Sequence, residues 1–228
     1  EEEAASEADV LWYMMGIYPR AGGKGKRIIH EYSSASIPPF RKLKDLVKTR
    51  LNSRPHFRLY QNEYVRQEIR HRDEISFGDK DEGIGDDFRP RLGTEKKYDF
   101  IYTGSLSPER KIEILLRVFQ DGSLKNRTIL LLGQDYERLA AACSPNGNII
   151  FRGPIPREEI PGYLSQARFA INYIPDREPF SAQTSTKFLE YAAMHIPIIS
   201  SSYFWISQFQ ERFGGEYFFL KEDLSNLS

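Results

Sequence analysis

The chain alternates between short apolar runs and segments of helical periodicity, most clearly from residue 98 onward. There "YDFIYTG", "TILLLG", "NIIFRG", "RFAINYI", "IPIISS" and "GEYFFL" read as strands. Between them "PERKIEILLRVFQD", "QDYERLAAAC", "PREEIPGYLSQA", "STKFLEYAAMH" and "YFWISQFQERFG" read as helices with a buried face. Six short apolar strands alternating with five helices predict an α/β fold with a doubly wound sheet of parallel strands. Ligands on such sheets bind beyond the carboxyl ends of the strands, where loops enter helices.

Upstream the pattern is looser. Asp9–Tyr18 (DVLWYMMGIY) is a continuous apolar run, as expected of a strand buried on both faces. Pro19–Lys26 reads as a loop and Arg27–Ser34 as a second strand. In "FRKLKDLVKTRLN", Phe40, Leu43, Val47 and Leu51 form one helical stripe, surrounded by Arg41, Lys42, Lys44, Lys48 and Arg50. A strand at Phe57–Gln61 and a helix over "NEYVRQEIRHR" follow. Ser76–Lys97 is rich in Gly and Asp and aperiodic, which predicts a hinge or linker. The sequence thus divides into residues 1–92 and residues 93–228.

Composition narrows the function. Apolar residues make up 40% of the 228 and aromatics 13%, so the chain can build a core. Lys+Arg and Asp+Glu both total 32, which argues against a surface built for nucleic acid. The single cysteine, Cys143, excludes an intramolecular disulfide and a Cys-based zinc site. The four histidines show no metal-ligand spacing, and "DKD" (Asp79–Asp81) reads as a solvated acidic loop. No apolar run approaches the ~18 residues of a membrane span. The opening EEEAASEAD is acidic where a secretory signal would be basic, so a cytoplasmic protein is expected.

Three strand-to-helix junctions carry candidate chemistry. In "TGSLSPERK" (Thr103–Lys111), Gly104 permits a tight turn. Arg110 and Lys111 are expected in the first helical turn, where the helix dipole opposes cations unless an anion is bound. In "NIIFRGPIP" (Asn148–Pro156), Gly153 and two prolines make a stiff loop. In "SAQTSTKFLEYAAMHIPIIS", Thr184, Ser185 or Thr186 is expected to cap a helix. Thr186, Lys187 and Glu190 then share a polar face within about 100° of arc. Such a helix start attracts a phosphate. The alternative is a Lys187–Glu190 surface pair worth about 0.2–0.5 kcal/mol.

These segments, "YTGSLSPERK", "TILLLGQD", "NIIFRGPIPREEIPGYLSQA" and "STKFLEYAAMHIPIIS", resemble the donor domain of GT-B glycosyltransferases of the retaining family-4 type. "RIIHEYSS" and "GIGDDFRP" resemble the end of that family's acceptor domain and its hinge. The resemblance implies a GT-B-like chain: the latter part of an acceptor-side Rossmann-like domain with a hinge (1–92), then a nucleotide-sugar donor domain (93–228). It implies sugar transfer, with retention, from a UDP- or GDP-sugar to a glycan or lipid-linked acceptor in polysaccharide assembly, without a cofactor or an obligatory metal. Gly104, Ser105, Arg110, Lys111, Ser185, Thr186 and Lys187 would meet the diphosphate; Arg152, Gly153, Ile155 and Glu190 would meet the nucleoside. His30 would lie against the donor sugar. The first acid of the family's Glu, seven residues, Glu pattern falls at Ala182 here, and Glu178 in "REPF" is the substitute. Many members carry an Arg where Ser105 stands. The basic helix Phe40–Asn52 is a candidate for peripheral membrane contact. The rival readings are a non-catalytic nucleotide-binding or scaffold module and a sugar-nucleotide epimerase.

Overall fold

The computed structural model describes residues 7–14, 16–20, 25–143 and 147–227. The loop expected at Pro19–Lys26 lies in part outside the described residues. The chain separates into two compact units, one of 1–82 with 177–184 and one of 83–176 with 185–228. The boundary after Glu82 falls inside the aperiodic stretch 76–97.

The second unit holds six parallel strands: β5 (Tyr98–Thr103), β6 (Ile129–Leu132), β7 (Ile149–Arg152), β8 (Ala167–Asn172), β9 (Ile198–Ser201) and β10 (Phe218–Leu220). Their order is β10-β9-β8-β5-β6-β7. The chain starts in the middle, runs to one edge and returns to fill the other, the order of doubly wound dinucleotide folds. The winding reverses between β5 and β8, and sheets of this kind bind ligands beyond the carboxyl ends of the strands at that point. Five helices connect the strands: α3 (Ile112–Gln120), α4 (Glu137–Ala142), α5 (Ile160–Ser165), α6 (Thr186–Ala193) and α7 (Phe204–Phe213). Period-two alternation divides β5 between two layers. Phe100 and Tyr102 join the core with Leu115, Leu116 and Phe119 of α3, while Thr103 bonds Tyr191 of α6. The six expected strands and five expected helices are therefore all present.

The first unit contains a four-stranded parallel sheet in sequence order: β1 (Val10–Met14), β2 (Arg27–Tyr32), β3 (Phe57–Tyr60) and β4 (Phe77–Asp79). Two helices lie within its described residues after β2, α1 (Arg41–Leu51) and α2 (Glu63–Ile69). Two expectations are corrected here, for β1 and for the aperiodic stretch. Among the described residues β1 is an outer strand bonded only to β2; Val10, Trp12 and Met14 are exposed, and it is not buried on both faces. The stripe of α1 does not face the core: Phe40, Leu43 and Leu51 are exposed, and the one buried helix residue is Asp45. Its carboxylate accepts the Ser36 N–H at 3.1 Å. Finally, the aperiodic stretch contains β4, three residues that pair with Arg58–Tyr60.

Candidate functional site

The carboxyl end of β5 is shaped by two glycines. Gly104 has φ 123°, a region that L side chains rarely adopt, and its N–H donates to Leu132 O at 2.9 Å. A Cβ at Gly133 would lie 1.9 Å from the Gly104 carbonyl oxygen, so the loops after β5 and β6 touch only because position 133 is bare. Ser105 has no arginine's reach; its hydroxyl accepts the Ser107 N–H at 3.2 Å. Pro108–Arg110 form a single 3-10 turn, Lys111 is left-handed at φ 51°, and α3 begins only at Ile112. Arg110 and Lys111 thus precede the helix instead of occupying its first turn, because the left-handed residue breaks the run. Arg110 is half-buried and Lys111 exposed.

The start of α6 is fixed from two sides. Of the three capping candidates Ser185 is the cap: its Oγ accepts the Phe188 N–H and donates to Asn172 Oδ1 at 2.9 Å. Asn172, wholly buried at the end of β8, donates in turn to Ser200 Oγ and Tyr203 OH at 2.9 and 3.0 Å. One turn into α6, Tyr191 OH takes the Thr103 N–H at 2.8 Å and pairs with Thr103 Oγ1 at 3.0 Å. Buried polar networks of this kind hold their members in one arrangement when every group is satisfied. They set the α6 start against the β5 end.

Lys187 occupies the gap. Its Nζ stands 3.9 Å from the centroid of the buried Tyr102 ring, and a Cβ at Gly104 would lie 3.5 Å from it. Burial lowers its pKa well below the lysine range; the charge of Arg110 lowers it further and that of Glu190 offsets part of this. Among the described residues no carboxylate lies within ion-pair distance of Lys187. A buried lysine with a cation–π contact worth about 0.5–2 kcal/mol, in the field of a second cation, is suited to an anion. Glu190 is not the surface partner of Lys187. It is buried and lies 3.4 Å from Arg157, a residue that no local pattern singles out. Burial pushes Glu190 up to about 7, Arg157 draws it down and Asp87 raises it again.

The remaining expected residues are dispersed. Arg152 is exposed at the end of β7 and donates to Tyr163 OH at 3.0 Å, with its guanidinium 5.3 Å from the centre of that ring. Gly153 lies under the Tyr136 ring: a Cβ there would meet it at 3.3 Å. Ile155 is half-buried in the same loop, and Thr186 is the first residue of α6. His30 and Glu178 belong to the first unit. There Glu178 pairs with Arg41, which also holds Glu68 at 3.1 Å, and the Ala182 carbonyl accepts from Asn62 at 3.1 Å. No group of His, Cys, Asp and Glu able to hold a metal ion occurs among the described residues. Among them no helix is long and apolar enough to cross a membrane.

Two parallel α/β units define a GT-B-like fold. The model of the family described as glycosyl transferases group 1 matches residues 97–214, more than half of the chain, and the chain belongs to that family. Among solved structures, Anabaena HepE in complex with UDP and glucose is 15% identical, with a TM-score of 0.70 over 99% of this chain and 68% of its own. The same protein in complex with UDP-glucose aligns over 89% of this chain and 60% of its own, at 13% identity and TM-score 0.67. Sucrose-phosphate synthase from Thermosynechococcus elongatus is 13% identical, with TM-score 0.63 over 89% and 58%. The structure of TarM is 10% identical, with TM-score 0.62 over 92% and 43%. The chain thus spans 43–60% of the length of these three proteins in the latter comparisons. At these identities the likeness is one of fold. No curated protein sequence matches the chain.

Proposed function

We propose that the chain is the donor-binding part of a glycosyltransferase that takes a sugar from a UDP- or GDP-sugar. The observation that carries this is the Lys187 ammonium, held between Tyr102 and Gly104 and beside Arg110 at the switch point of a parallel sheet. As the sugar–phosphate bond breaks and a bond to the acceptor oxygen forms, negative charge grows on the departing diphosphate. Fixed cations and the free amides at the start of α6 stabilise that charge in place. Lys187 and Arg110 take the charge-neutralising role here, so no obligatory metal is needed. Glu190, one turn further along, accepts from the ribose hydroxyls, and the Gly153–Ile155 loop lies along the base. Relatives of the same fold were solved with UDP-glucose and with UDP and glucose. Transfer with retention of configuration and a hexose donor belong to this proposal.

The acceptor is a glycan or a lipid-linked sugar. The lipid-linked form is supported by α1, which exposes Phe40, Leu43 and Leu51 beside Lys42, Lys44 and Arg50, the profile of a helix that rests on an anionic membrane. Calorimetry with UDP, GDP and their sugars tests the donor site. Binding is expected, and the Lys187→Ala and Arg110→Ala variants should each weaken it by about tenfold or more, as loss of a bond to a charged group does. No binding of any nucleotide would return the protein to a scaffold role, and epimerised donor without acceptor would make it an epimerase.

A further inference from the structure

The first unit contains a polar cavity around His30, the residue that the family resemblance sets against the donor sugar. His30 and Arg58 are opposite each other in the β2–β3 pairing, so both side chains rise from one face of the sheet. They are only 2% and 5% exposed. Beside them lies a cavity of about 280 Å³, bordered also by Ser53, Arg54, His71 and Asp73. Ser53 and Arg54 precede β3 and Asp73 precedes β4, while His30 and Tyr32 lie in the carboxyl half of β2, so the cavity is set over the face of the sheet.

The polar groups around this cavity are incomplete. Both ring nitrogens of His30, Nε of Arg58 and Oγ of Ser53 are buried without a hydrogen-bond partner among the described residues. The terminal nitrogens of Arg58 are taken by the Asp73 carboxylate, one of them at 2.7 Å. The His71 nitrogens face the hydroxyls of Tyr32 and Tyr60 at 3.4 and 2.8 Å. Native proteins leave few buried polar groups unpaired, since each costs about 1–3 kcal/mol. What remains open is rich in donors: a guanidinium N–H, a hydroxyl and an imidazole. Of the charges around it, Arg54 and Arg58 outnumber Asp73.

We propose that this cavity binds a small phosphate-type oxyanion, held by Arg58 Nε, Ser53 Oγ and the His30 ring. The state of His30 without an anion agrees with this. Burial first, and then the charge of Arg58, lower its pKa to about 4, so the ring is neutral near pH 7. The other titratable groups around it are His71, Asp73, Arg54 and the Tyr13, Tyr18 and Tyr32 rings. A bound oxyanion opposes the field of Arg58 and favours the imidazolium, one N–H of which donates to it.

Ring-nitrogen NMR of the whole chain in phosphate-free buffer tests the site, with inorganic phosphate and then glycerol phosphate as probes. The expected result is a saturable shift of the His30 signals toward the imidazolium pattern. Tighter response to inorganic phosphate identifies the free ion as the ligand, and tighter response to glycerol phosphate identifies the phosphoryl end of a larger molecule. Ser53→Ala, a substitution at a half-buried loop position, should weaken the response several-fold, and His30→Phe should abolish the binding that the Arg58 Nε signal reports. Unchanged His30 signals with both probes, or an equal response in Ser53→Ala, would overturn the proposal and leave water as the occupant. Neither nucleotide sugar nor turnover enters this measurement, so its failure leaves the transferase reading standing.

Discussion

β5 of the second unit brings Phe100, Ile101 and Tyr102 into the core in succession, whereas β2 of the first unit buries His30, Glu31 and Tyr32. The second unit keeps its sheet faces apolar and gathers polar side chains at the carboxyl edge, where Asn172, Ser185, Lys187 and Glu190 lie. The first does the reverse. It buries His30, Glu31, Asp45 and Arg58, and it exposes Trp12, Phe40 and Leu43. A sheet enclosed on both faces requires apolar strands, so its sequence is easy to read. A sheet with a polar buried face requires partners drawn from elsewhere in the chain, and Asp73 for Arg58 or Lys80 and Trp12 for Glu31 come from loops and edges.

The largest test of this contrast is in the cores. Leu115→Ala, fully buried on α3, should lower the stability of the second unit by about 2–5 kcal/mol. Leu43→Ala on the exposed stripe of α1 should stay within about 0.5 kcal/mol. Urea unfolding followed by peptide-resolved hydrogen exchange reads the two units separately, and equal losses would break the contrast.

The pH dependence should also differ in sign. Glu190 is raised from 4.5 to about 7 in the fold, so between these values the folded state binds more protons than the unfolded chain. The second unit should therefore lose stability as pH rises through that window, by about 3 kcal/mol. His30 is lowered from 6.5 to about 4, so the unfolded chain binds more protons there, and the first unit should lose stability as pH falls through that window. Protection factors at about pH 5 and about pH 8, corrected for intrinsic exchange, should move in opposite directions. Glu190→Gln should remove this contribution to the second unit and leave the slope of the first unit unchanged.

A smaller effect sharpens the site. Tyr191→Phe removes the partner of a buried backbone N–H at Thr103 and should cost about 1–3 kcal/mol. If α6 positions Lys187 as described, UDP affinity should fall as well, measured by calorimetry on the folded variant. The smallest expected effect is at Ser105→Ala, whose hydroxyl caps only its own turn. It should change UDP affinity by less than about threefold, a ratio worth under about 1 kcal/mol.

Much of the second unit was readable from residue order. Its strands are short apolar runs and its helices repeat at helical spacing, so neither needs distant information. Lys187 and Glu190 stood out for a local reason, a polar face at the start of an apolar helix. Arg157 and Asn172 did not, since each acts on a residue from another part of the chain. Nor did β4, where three residues including Gly78 pair with β3 without any periodicity of their own. Arg110 and Lys111 were found, but not the left-handed turn that separates them from α3.

Sequence alone determined that parallel strands alternate with helices, that the second region winds about a central strand, and that positive charge collects after β5 and at the start of α6. These follow from periodicity and adjacency, which are local. Tertiary structure decided which way each stripe faces, that Glu190 answers to Arg157, and that Lys187 is packed on Tyr102 beside Arg110. Such outcomes depend on burial and on charges brought together by the winding of the sheet, and no stretch of residues contains that information by itself.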